Sequence, residues 1–137
     1  MRFENYQDLK REKKAVEFFV NLFDGSFEKL DENDIDFKIY DKEKNLIAFA
    51  EVKGRKKEII NAYPLPVSIR KLLKLADKKL NPVIIWCCND GIIYAKVKNL
   101  KGILKWGGRK PREGAFNDQE LMAYFYNNEQ FKIYKYN

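Results

Sequence analysis

Hydrophobic positions along the chain change period several times, and each change marks an element. Between residues 7 and 23, Leu9, Val16, Phe19, Val20 and Phe23 fall on one stripe of an amphipathic helix. At about 100° per residue, Glu12 lies roughly 40° from the stripe centre and Glu17 roughly 100° away. Glu12 is therefore the acid expected to face inward. The turn Asp24-Gly25-Ser26 follows, then a short edge strand over Phe27 to Leu30 and an acidic run from Asp31 to Asp36. Asp34 to Tyr40 alternates, with Ile35, Phe37 and Ile39 on one face, and the polar turn Asp41 to Asn45 leads into Leu46 to Val52. That pair reads as a β-hairpin whose second strand, apolar on both faces, belongs in the middle of a sheet.

A second helix is expected between Ser68 and Leu80, with Ile69, Leu72, Leu73, Ala76 and Leu80 inward and Lys71, Lys74 and Lys78 on an exposed basic face. Val83 to Cys88 and Ile92 to Val97, joined by Asn89-Asp90-Gly91, form a second hairpin. Beyond Lys98 come a glycine-rich basic loop from Gly107 to Arg112, a short helix from Asp118 to Phe125 and a strand-like tail. The order helix, hairpin, helix, hairpin predicts an α/β domain with a mixed central β-sheet flanked by helices.

Length and composition narrow this picture. At 137 residues and 45% hydrophobic content the chain can bury one core, so a single domain over residues 1–137 is expected. No stretch reaches the ~18 apolar residues of a membrane span. The opening Met1-Arg2-Phe3-Glu4 also lacks the apolar run of a signal peptide. A soluble, cytoplasmic protein without a membrane partner is the expectation. Histidine is absent, which excludes histidine-dependent triads, typical zinc hydrolase sites and histidine-base nucleases. The only cysteines, Cys87 and Cys88, are adjacent on a strand and point to opposite faces, so they neither pair nor chelate together. Hydrolytic chemistry is left to carboxylates, lysine and a hard cation. The net charge of +7 favours an anionic partner such as nucleic acid.

Glu51 and Lys53, two residues apart on a strand, project from one face about 7 Å apart along the backbone. Asp36 opens the partner strand and can lie beside them. Two carboxylates that hold Mg²⁺, with a cation near the attacking water, form the set a phosphodiester hydrolase needs. A Glu-x-Lys at a strand end is commonly only a surface ion pair. Here it caps a strand apolar on both faces, with an acid across the hairpin and the inward Glu12 on the preceding helix. Asp34 shares a strand face with Asp36, so periodicity does not choose between them; Asp36 is favoured because it sits further into the strand.

These residues resemble the PD-(D/E)xK nuclease superfamily, whose members have a restriction-endonuclease-like fold and include archaeal Holliday junction resolvases and small phage nucleases. The resemblance runs through Arg11-Glu12-Lys13-Lys14-Ala15-Val16, Asp34-Ile35-Asp36-Phe37 and Glu51-Val52-Lys53-Gly54-Arg55. No proline precedes the first acid. The resemblance implies that Asp36 and Glu51 ligate Mg²⁺ or Mn²⁺, that Lys53 positions or activates water, and that Glu12 is an auxiliary acid. It also implies nucleic acid as partner, DNA ahead of RNA, and leaves a homodimer open.

Arg55, Lys71, Arg109 and Arg112 are candidate nucleic-acid contacts, because a phosphate backbone requires only a basic face. A solvated helix face accounts for the helix lysines equally well. Trp106 beside Arg109 and Arg112 could stack bases, or could be a core tryptophan next to an ordinary turn. Two alternatives to a nuclease stay open: a catalytically inactive nucleic-acid-binding module of the same fold, and an interaction domain, which would show no salt-sensitive binding to DNA.

Overall fold

The computed structural model describes residues 6–30, 37–77, 80–108 and 119–137. Helix α1 (Tyr6–Asn21) buries Glu12, Ala15, Val16, Phe19 and Val20, whose three-to-four spacing forms a single face. Glu17 is exposed, so the inward acid is Glu12. The chain leaves the helix through Asp24, which adopts a left-handed φ of 58° that aspartate tolerates. Gly25 follows. A Cβ there would lie 2.4 Å from the Tyr40 carbonyl oxygen, so only glycine lets strand β1 (Ser26–Lys29) start this close to its neighbour.

Strand β1 pairs antiparallel with β2 (Phe37–Tyr40), and β2 with β3 (Leu46–Gly54). Strand β3 then pairs parallel with β5 (Val83–Cys87), which forms an antiparallel hairpin with β6 (Gly91–Lys96). The tail strand β9 (Lys132–Lys135) closes the order β1-β2-β3-β5-β6-β9. The result is an α/β fold on a mixed sheet, with β3 and β5 inside it, as their apolar faces require. Both sides of β5 are buried: Val83, Ile85 and Cys87 pack with the α1 layer, while Ile84 and Trp86 pack in the core on the other side.

That other side is not covered by a helix alone. The parallel crossover from β3 to β5 carries a strand, β4 (Leu65–Ser68), and then helix α2 (Ile69–Ala76). Strand β4 joins β8 (Gln119–Phe125) and β7 (Ile103–Gly108) in a separate antiparallel sheet of order β4-β8-β7. Three sequence expectations change here. The helix placed over Asp118 to Phe125 is strand β8, with Asp118 outside the described residues. Its backbone is paired on both sides, and that pairing overrides a weak local helix pattern. Gly107 and Gly108 finish β7 instead of opening a loop. In α2 the fully buried leucine is Leu75, whereas Leu73 is 67% exposed, because the helix is oriented by two sheets and not by one stripe. Among the described residues no helix is long and apolar enough to cross a membrane.

Candidate active site

The register of β2 and β3 places Phe37 opposite Ala50. Beyond Ala50, β3 continues through Glu51, Val52, Lys53 and Gly54 with β5 alongside, Glu51 opposite Ile84 and Lys53 opposite Trp86. Alternation sends Ala50 and Val52 into the α1 layer and Phe49, Glu51 and Lys53 toward the α2 side. The carboxylate of Glu51 is thus carried by an interior strand and is only 5% exposed; Lys53 is half-buried. Asp36 and Asp34 lie outside the described residues. Asp36 is joined directly to Phe37, whose partner Ala50 precedes Glu51.

A buried carboxylate requires compensation, and it comes from a residue assigned to a different role by periodicity. Lys71 is not on an exposed face with Lys74: its Nζ donates to Glu51 Oε1 at 3.0 Å. The two side chains are 33% and 6% exposed, so the ion pair is closed on the acid side and open on the lysine side. Its geometry is set by a chain of contacts. Trp86 Nε1 donates to the Pro66 carbonyl at 3.0 Å, which ties β4 to β5. Ser68 ends β4 opposite Met122, and its Oγ caps α2 by accepting from Lys71 N at 3.3 Å. Lys71 therefore stands in the first turn of α2, fixed to β4, which Trp86 ties to β5, the strand next to β3. A serine ahead of a helical stripe was the one sequence signal for this arrangement; nothing in the sequence placed β4.

Glu12 comes from the opposite side. Asp8 in the first turn of α1 contacts Lys56 at 3.7 Å and also pairs with Arg11, which holds the helix N-terminus beside the chain leaving β3. Glu12 is 7% exposed. Its charge reaches the end of β5: burial, and then Glu12, push the Cys87 thiol up to about 11. Glu12 is thus carried by α1, and Glu51 by the face of β3 that meets α2.

Arg55 is used by the protein itself. Its Nε donates to the Ala62 carbonyl at 2.9 Å and one terminal nitrogen to the Pro64 carbonyl at 3.3 Å. It braces the loop into β4, while Lys56 and Lys57 beside it are exposed. Arg109, Arg112 and Lys78 lie outside the described residues. Trp106, on the outer strand β7, is 70% exposed and is no core residue. An apolar groove of about 280 Å³ between α2 and the second sheet, lined by Ile69, Leu72, Leu104 and Phe125, offers no acid-base chemistry.

Among the described residues no group of three His, Cys, Asp or Glu side chains could hold a metal ion; Glu51 is a buried candidate oxygen donor. An enclosed acid paired with an ammonium group suits hard cations and anionic phosphoesters. That chemistry is the business of nucleases. The chain belongs to the PD-(D/E)xK nuclease superfamily: the family described as "Phage putative PDDEXK endonuclease" matches residues 1–133. No curated protein and no solved structure matches it.

Proposed function

We propose that this single domain, residues 1–137 with a restriction-endonuclease-like core, is a metal-dependent nuclease that hydrolyses phosphodiester bonds in DNA. The observation that supports it most is the pair Glu51 and Lys53, on one face of β3 beyond Ala50, the partner of Phe37. Glu51 and Asp36 would hold Mg²⁺ or Mn²⁺. Burial and a strand backbone keep the Glu51 oxygens in place, which favours a hard cation over mobile solvent. When bound, the cation supplies Lewis acidity toward the phosphoryl group.

The chain's own residues do the rest. The ammonium of Lys53 donates to the attacking water or to a non-bridging oxygen, where negative charge grows as the bond to the leaving oxygen breaks. Glu12, arriving from the α1 face, acts as the auxiliary acid that keeps the end of the sheet negative enough to retain the cation. The exposed Lys56 and Lys57, with Arg109 and Arg112, track the phosphate backbone in a salt-sensitive way.

The test is cleavage of single-stranded, duplex and branched DNA and of RNA, with Mg²⁺, Mn²⁺ or EDTA. Wild type is compared with Glu51→Ala and Lys53→Ala. Cutting that needs the metal and falls at least about 10²-fold in each variant is expected. A second reading has one observation in its favour: Lys71 already neutralises Glu51, as in a domain that binds nucleic acid without cutting it. Salt-sensitive binding by a wild type that cuts nothing under any of these conditions would establish that reading instead.

A further inference from the structure

We propose that Lys71 is a moving cation of the active site. It neutralises Glu51 in the free protein, and transfers to a non-bridging phosphoryl oxygen of the nucleic acid when the carboxylate is taken up by a divalent cation. The proposal rests on the nuclease reading above and adds a residue and a binding order to it.

Three observations on Lys71 point this way. The first is the bond itself, from Nζ to Glu51 Oε1 at 3.0 Å, which gives this lysine the acid that a metal would need. Lysine and metal draw on the same single negative charge of Glu51, so they compete. The second is asymmetry of burial: Glu51 is enclosed and Lys71 is one-third exposed, so the ammonium can be reached from solvent while the acid cannot move to follow it. The third is position in the helix. Lys71 lies in the first turn of α2, where the helix dipole favours anions and disfavours a cation. Glu51 offsets that cost in the free protein. Once Glu51 is engaged elsewhere, an ammonium in the positive field of the helix start is best satisfied by a new anion, and the phosphate to be cleaved is the anion that the site brings there.

Metal and nucleic acid should therefore help each other bind, with Lys71 as a positioning and phosphate-binding residue. The experiment measures Mn²⁺ binding by calorimetry without nucleic acid, and the affinity for duplex DNA with Ca²⁺ in place of the active metal. Lys71→Met is expected to bind Mn²⁺ roughly three- to tenfold more tightly than wild type, since a competitor is gone. It should bind DNA weaker by a similar factor. Lys71→Arg should restore DNA binding. Should Lys71→Met fail to fold, the same DNA comparison is made between Glu51→Gln and the double variant Glu51→Gln/Lys71→Met, which buries no unpaired acid.

Unchanged Mn²⁺ and DNA affinities in Lys71→Met would overturn the proposal and leave a static ion pair, with the nuclease reading intact. A wild type that binds no Mn²⁺, or binds it undiminished in Glu51→Gln, would overturn the nuclease reading and the proposal with it.

Discussion

Helices α1 and α2 cover opposite faces of one sheet, yet they are held in different ways. Helix α1 lies on a single surface, and its 16 residues bury one regular face from Glu12 to Val20. Helix α2 has 8 residues and is wedged between the large sheet and the smaller β4-β8-β7 sheet, with Ser68 of β4 as its cap. A helix on one surface is oriented by its own periodicity. A short helix at a junction is oriented by what surrounds it, and the candidate site lies on the side of that junction. Glu51, Lys53 and Lys71 all face it.

The sharpest way to break this comparison is to truncate two leucines of α2. Leu75 is fully buried, so Leu75→Ala should cost about 2–5 kcal/mol of unfolding free energy. Leu73→Ala should cost under about 0.5 kcal/mol, because its side chain is already in water. Urea denaturation of both variants measures the difference. Equal losses would mean that α2 sits on the stripe centred on Leu72 and Leu73, rotated away from the orientation that brings Lys71 to Glu51.

The same contrast decides what could be read without coordinates. Where an element packs on one surface, side-chain period is sufficient: α1 with its inward Glu12, the β2-β3 hairpin and the β5-β6 hairpin all follow from spacing. The position of β3 inside the sheet also follows, from residues apolar on both faces. The second sheet does not. Leu65-Pro66-Val67-Ser68 is too short to show a period. Gln119 to Phe125 fits a helix as readily as a strand until its two partners, β4 and β7, are known. For the candidate site, the placement of Glu51 and Lys53 on one strand was legible because residues two apart on a strand share a face. The partnership of Lys71 with Glu51 was not, because it depends on where β4 starts the helix. Arg55, a candidate phosphate contact in the sequence, has a role in the fold that spacing does not show, as a brace on the Ala62 and Pro64 carbonyls.

A smaller effect tests the edge where the two layers meet the tail strand. Gly91 begins β6, and a Cβ there would lie 2.2 Å from the Tyr134 carbonyl oxygen and 2.7 Å from Lys135 Cα. Both are backbone atoms of β9 and cannot swing aside. Gly91→Ala should therefore push β9 off the sheet at a cost of about 1–3 kcal/mol. Amide exchange should rise in residues 132–135 while α1 stays protected. Uniformly faster exchange, including α1, would show that β9 is integral to the core and not an edge.

The finest probe uses the two thiols, because each reports on one layer. Cys87 packs among the α1-side residues and Cys88 among those on the α2 side. Burial is the main cause of both shifts, with Glu12 next for Cys87 and Asp90 next for Cys88; the thiols rise from 9.0 to about 11 and about 12 respectively. A raised folded value means that the folded state holds its proton more tightly. Below pH 9 both states are protonated and this stabilisation is fully present. Above pH 9 the unfolded thiols ionise first, so stability is lost progressively as pH rises toward 11 and 12. Unfolding free energy measured from pH 8 to 10.5 should fall, and should fall less steeply in Cys87→Ala/Cys88→Ala. Native thiols should also resist alkylation at pH 8 until the protein unfolds, since the thiolate is the reacting form. In the single-cysteine proteins, Cys88 should become reactive together with loss of α2 and Cys87 with loss of α1. If Cys88 reacts while α1 remains protected, the junction opens independently of the helix that rests on one surface, and the layer that carries Lys71 is the more mobile of the two.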